Sequence, residues 1–254
     1  MGEHVLTERN GSVIRITLNR PEKRNALSLP VLRELTDAFV SAGKTDATCV
    51  VLAAEGPVFS AGHNFGDMLG ADYATTYEVF DTCTRMMKVI QSIPQIVVAR
   101  VHALATAAGC QLVATCDLAV AAEDARFAVS GVNLGLFCST PSVALSRNLS
   151  RKEAFEMLVT GEFISAAEAR DKGLVNRVVP AGQLDDEIAR LAAQITAKPA
   201  VAIAMGKELF YRQLEMGTDA AYQLAGQTMA CNMMDDAALE GVQAFIEKRK
   251  PDWS

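Results

Sequence analysis

Gln95 to Glu123 reads QIVVARVHALATAAGCQLVATCDLAVAAE, and the fold turns on this stretch. "QIVVARV" is a short, apolar, β-branched run with the character of a buried strand. "ALATAAG" leads through a turn into a helix, and "DLAVAAE" returns as another strand. Two apolar strands joined by a helix make a βαβ unit, the building block of a parallel sheet.

Upstream the alternation continues. Val5 to Glu8 and Ser12 to Leu18 read as two strands around Asn10-Gly11, a hairpin turn signal. Ser28 stands where a helix cap belongs, and the helix runs to about Ala42 with Leu32, Leu35 and Phe39 on one face. "TCVVLAAEG" reads as a buried strand, "FSAGHNFGDM" as a glycine-punctuated loop and Tyr73 to Ile93 as a long helix. After about residue 140 the pattern turns helical, with only a short strand near "VNRVV". The expected class is α/β, a ββα spiral core over residues 1–195 followed by a C-terminal helical region over 196–254. Met205, Met216, Met229, Met233 and Met234 gather in that region, either to fill the core or to form an oligomer face, and core filling is the favoured role of so adaptable a side chain.

Composition narrows the function. Half of the 254 residues are hydrophobic and 21% are charged, enough for a large core and unlike a disordered chain. A net charge of −6 leaves no nucleic-acid footprint. No stretch is apolar for long enough to span a membrane. The N-terminus lacks an apolar h-region, which argues against secretion and leads to a cytoplasmic expectation. The six cysteines show no paired spacing and read as reduced core thiols, not as a metal or disulfide set.

Several long motifs in order give the chain a resemblance. "LNRPEKRNALS", "PVFSAGHNF", "VHALATAAGCQLVATCDLAVAAEDARF", "LVTGEFISAAEARDKGLVNRVVP" and "VQAFIEKRKPDW" are similar to successive motifs of the crotonase superfamily, also called the enoyl-CoA hydratase/isomerase family. "ATAAGCQ" and "GLFCSTP" resemble the subgroup named enoyl-CoA hydratase domain-containing. The resemblance implies a crotonase-like spiral, a C-terminal trimerisation region and a homotrimer or dimer of trimers. It implies an acyl-CoA thioester as ligand, with coenzyme A part of the substrate and no bound cofactor or metal.

The resemblance also implies site residues. Two main-chain N–H groups hold the thioester oxygen while negative charge grows on it, and such preorganised donors stabilise an enolate strongly. They map to His63, after Ala61-Gly62, and to Ala108, near a helix N-terminus that favours an anion. Ala108 replaces the usual glycine; its donor survives a methyl group provided the backbone angles permit alanine. Lys23, Arg24, Ala26, Ala61 and Asn64, with Lys248 and Lys250 near the C-terminus, map to the coenzyme A contacts.

Hydration further needs two glutamates, and both are missing. The first maps to Gln111, whose amide cannot accept a proton near neutral pH. The second maps to Gly131, which has no side chain. A positioned acid or base is worth roughly 10²–10⁴ in rate. Losing both removes most ordinary enoyl-CoA hydration. Other groups offer partial substitutes. His63 titrates near neutrality, although a packing or ligand-contact role is the simpler one for its ring. Ser139 sits where a related dehalogenase-type member has its nucleophile, but a hydroxyl without a base is a poor one. Asp67 reads as solvated, Cys138 as a buried thiol, and His102 and Asp117 as structural. Two readings stay open: an enolate-forming enzyme that works without the paired glutamates, and a non-catalytic acyl-CoA-binding protein.

Overall fold

The computed structural model describes residues 3–253. The strands are β1 Val5–Asn10, β2 Val13–Leu18, β3 Cys49–Ala54, β4 Val58–Ser60, β5 Ile96–Val101, β6 Leu104–Thr106, β7 Leu118–Ala122, β8 Arg126–Ala128, β9 Ile164–Ser165 and β10 Arg177–Val179. The helices are α1 Leu29–Gly43, α2 Tyr73–Ser92, α3 Ala108–Thr115, α4 Ser139–Leu145, α5 Arg151–Thr160, α6 Ala166–Asp171, α7 Leu184–Thr196, α8 Ala200–Gln213, α9 Thr218–Asn232 and α10 Asp236–Glu247.

Two sheets share the core. One runs β1-β2-β3-β5-β7-β10 and the other β4-β6-β8-β9. Beyond the antiparallel β1–β2 hairpin, all pairs of the larger sheet are parallel. Consecutive strands alternate between the sheets: β3 then β4, β5 then β6, β7 then β8. A helix or helical turn carries the chain back each time. That is the ββα spiral.

The larger sheet is covered on both faces, which explains its unbroken apolar strands. Along β3, Val50 and Leu52 face the main core with Leu32, Leu35 and Phe39 of α1. Cys49 and Val51 point the other way, against Leu184, Ile188 and Leu191 of α7. Ser28 precedes α1, yet its hydroxyl makes no cap bond and lies 3.2 Å from an Arg20 guanidinium nitrogen that donates to it.

The helices after Thr196 correct one expectation. α9 buries no residue, and Met229, Met234 and Phe245 are 69%, 73% and 84% exposed. Those methionines do not fill the core of this chain. Apolar character alone cannot separate a core from a face that awaits a partner. One deep tie holds this region to the core. Lys207 of α8 pairs with Asp117 at 2.6 Å, with side-chain exposures of 3% and 9%. Among the described residues, no single helix is long and apolar enough to cross a membrane.

Candidate active site

The site forms where three loops leave the ends of strands. The segment after β2 meets the loop after β4 through main-chain bonds: Ala61 N–H to Arg24 O at 3.0 Å, Leu27 N–H to Gly62 O at 2.8 Å and Asn64 N–H to Leu27 O at 3.4 Å. This is one bridge of parallel sheet between Leu27 and His63. It uses the groups flanking His63 and so turns the His63 N–H to the opposite edge. That N–H donates to no protein group among the described residues.

The third loop arrives with β6. A Cβ placed on Gly62, whose φ is +88°, would lie 2.8 Å from Ala107 Cβ and 3.1 Å from the Ala108 nitrogen. Only glycine fits there, so the His63 loop sits directly against the start of α3. Gly109 serves the same approach: a Cβ on it would fall 2.4 Å from Ser60 O. Ala107 donates its N–H to Ala128 O at 2.9 Å and receives Gln111 N–H at 3.0 Å. Ala108 is then the first helical residue, and its N–H has no partner among the described residues. Helical backbone accepts alanine at 108 without strain. The strain lies one residue earlier, at Ala107, with φ 50° and ψ −120°. Such a conformation costs a non-glycine residue about 1–3 kcal/mol and gathers at functional sites.

Gln111 follows one turn later on the Ala108 face. It is 5% exposed, and its Oε1 is buried without a hydrogen bond. Gly131 lies buried in the 3-10 turn Ser130–Leu134. No opening stands beside it. Its N–H donates to Cys138 Sγ at 3.3 Å, and a Cβ on it would meet Leu136 O at 2.6 Å and Cys138 Sγ at 2.7 Å. Thr106 and Ser130 link the neighbouring segments through their hydroxyls at 3.2 Å.

The imidazole of His63 packs edge-on against Phe80 of α2, centroids 5.1 Å apart. Burial pushes its pKa down to about 4, so the ring is neutral near neutral pH, and its Nε2 makes no hydrogen bond. A base that weak takes a proton poorly. The Asp67 carboxylate is engaged by Asn64 Nδ2 at 2.7 Å and Leu29 N–H at 3.3 Å. The Ser139 hydroxyl is exposed and donates to Phe137 O at 3.3 Å. Burial raises the pKa of Cys138. His102 bonds Gly56 O at 2.8 Å. Asp117 holds Val97 N–H, Lys207 and Tyr211.

The structure therefore brings Lys23 to Ala26 beside Ala61 to Asn64, and these beside Ala107 to Gln111. Lys23 and Arg24 are exposed and make no ion pair among the described residues. Among the described residues, no hydrogen bond joins Lys248 or Lys250, past the end of α10, to these loops. Phe80 escapes sequence reading, because it matters through His63, a neighbour on a separate loop; the Cys138 thiol is buried as its surroundings predict. Among the described residues, no three His, Cys, Asp or Glu side chains gather closely enough for a metal ion.

Known proteins share this sequence family and this fold. A model of the enoyl-CoA hydratase/isomerase family matches residues 8–254. The rat protein named enoyl-CoA hydratase domain-containing protein 3, mitochondrial, is 48% identical over 252 residues, 98% of this chain and 83% of that one. A solved enoyl-CoA hydratase from Mycobacterium smegmatis superposes with TM-score 0.96 at 57% identity, covering 98% of each chain. Human enoyl-CoA hydratase domain-containing protein 3 gives 0.96 at 43% identity, over 99% of this chain and 100% of that one. The cytoplasmic expectation is overturned: the rat, mouse, frog and human relatives are named as mitochondrial proteins. An absent h-region argues against secretion alone, since mitochondrial leaders are amphipathic and arginine-rich.

Proposed function

Because this chain belongs to the enoyl-CoA hydratase/isomerase family, we propose that it binds an acyl-CoA thioester between the N–H groups of His63 and Ala108. One observation carries the reading: two unpartnered main-chain donors stand on loops pressed together at Gly62, one of them at a helix N-terminus. Lys23 and Arg24 are free cations suited to the phosphates of coenzyme A, with Ala26, Ala61 and Asn64 beside its path. Lys248 and Lys250 reach it from a neighbouring copy of the chain.

The reaction is not ordinary enoyl-CoA hydration. Gln111 is an amide and Gly131 is walled off, so neither acid is supplied. Stabilised enolate without paired carboxylates suits decarboxylation or other thioester chemistry. A non-catalytic acyl-CoA-binding role is the second reading, favoured by the same uncharged lining. Turnover and binding of crotonyl-CoA, malonyl-type and longer acyl-CoAs separate the two. Tight binding with no turnover across the panel selects the binder. Failure to bind any thioester removes both readings.

Residues 196–254 serve as the assembly region. Their support is the exposed apolar face of α9 and α10, with Phe245 at 84% exposure, which a monomer rarely leaves uncovered. Light scattering on the purified chain should return the mass of a trimer or hexamer; a monomer mass counts against this assignment.

A further inference from the structure

We propose that the His63 imidazole, backed by Phe80, forms the acyl-pocket wall beside the thioester and restricts the ligand to short acyl groups bearing an oxygen substituent. The inference rests on the acyl-CoA reading and adds the substrate class. The ring hangs from the residue whose N–H faces the thioester oxygen. In any residue the nitrogen and Cβ are about 2.5 Å apart, so this side chain starts next to the ligand. Phe80 meets the ring at an interplanar angle of 87° with centroids 5.1 Å apart, an arrangement that aromatic quadrupoles favour. Packed so, neither ring swings aside without losing its neighbour.

The wall is not purely apolar. His63 Nε2 and Gln111 Oε1 are both buried and unpartnered. Buried polar atoms in native folds are normally paired, so each calls for a ligand atom or a water. Both residues are uncharged, since burial holds the imidazole neutral. A hydroxyl on a short acyl chain meets that demand, since it donates to Gln111 Oε1 and exchanges a hydrogen bond with His63 Nε2.

The test is equilibrium binding of butyryl-CoA, octanoyl-CoA and 3-hydroxybutyryl-CoA to the full chain. Wild type is compared with His63→Ala, His63→Phe and Phe80→Ala, all of which keep the main-chain N–H at position 63. A seated methylene is worth roughly four-fold in affinity, and octanoyl-CoA seats its chain only by leaving several methylenes in water or by parting His63 from Phe80, so wild type should prefer butyryl-CoA over octanoyl-CoA by at least about tenfold. His63→Ala and Phe80→Ala should each bring that ratio close to unity. His63→Phe keeps the wall, so it should keep the ratio and lose the preference for 3-hydroxybutyryl-CoA. Equal wild-type affinity for butyryl-CoA and octanoyl-CoA, or an unchanged ratio in folded His63→Ala, overturns the inference and leaves the acyl-CoA reading standing. No binding of any of the three by folded wild type overturns both.

Discussion

Lys207→Met should lower the unfolding free energy by about 3–5 kcal/mol, the range for stripping one partner from a buried ion pair. The ammonium has three donors, and all are used: Ile90 O at 2.8 Å, Gln95 O at 2.7 Å and Asp117 Oδ2 at 2.6 Å. Asp117 also accepts from Val97 N–H and Tyr211 OH, each at 2.7 Å. Burial pushes the Asp117 carboxyl up and the Lys207 ammonium down, and their mutual attraction opposes both shifts. Methionine would fill the space but strand a carboxylate and two carbonyls away from water. Urea unfolding monitored by circular dichroism gives the number. Adding Asp117→Asn to the lysine variant should recover part of the loss, because the stranded charge disappears. A loss below about 1 kcal/mol would mean that the pair does not hold α8 to the core.

The same lysine marks the limit of what is legible from the chain alone. In "AMGKELFY" it looks like a solvent-facing cation on an ordinary helix; nothing local announces that Asp117 waits 90 residues earlier. The larger sheet is legible because its strands are covered on both faces, and so read as continuous apolar runs. The smaller sheet is not: β4, β6 and β8 have three residues each and β9 two, too few to establish a period. α4 has only seven residues, Ser139–Leu145, again too few to establish a period. The methionines of the helical region are legible as apolar and illegible as exposed. At the site, resemblance points to His63 and Ala108 as candidate oxyanion donors and to 111 and 131 as the positions where it expects glutamates, while local rules explain the glycines at 62 and 109 only after Ala107 and Ser60 are seen to press on them. Nothing in "FAVSGVNLG" tells that residue 131 is blocked from outside.

That blockage shapes the largest expected gain of activity. Gln111→Glu alone should raise crotonyl-CoA hydration about 10²-fold above wild type, the lower end for one positioned acid–base group, since its partner stays absent. The exchange changes a terminal amide to a carboxyl of almost the same shape on the Ala108 face of α3. Burial will raise that carboxyl's pKa, which suits proton transfer near neutrality. Gly131→Glu should add nothing and should destabilise the chain. Its Cβ would sit 2.6 Å from Leu136 O and 2.7 Å from Cys138 Sγ; a thiol can turn away, but a main-chain carbonyl cannot. Cys138→Ala in the same background clears only one of the two obstacles. Loss of the enoyl thioester absorbance measures the rates, and thermal melts report the cost at 131. Enzyme-like crotonyl-CoA hydration by wild type, unchanged by Gln111→Glu, would show that the amide is no deficit. A double variant that folds and outpaces Gln111→Glu would show that the 131 loop yields. If instead the 131 variants fail as expected, the second acid position is sealed by the 130–139 loop, and restoring a hydratase would take a rebuilt loop as well as two glutamates.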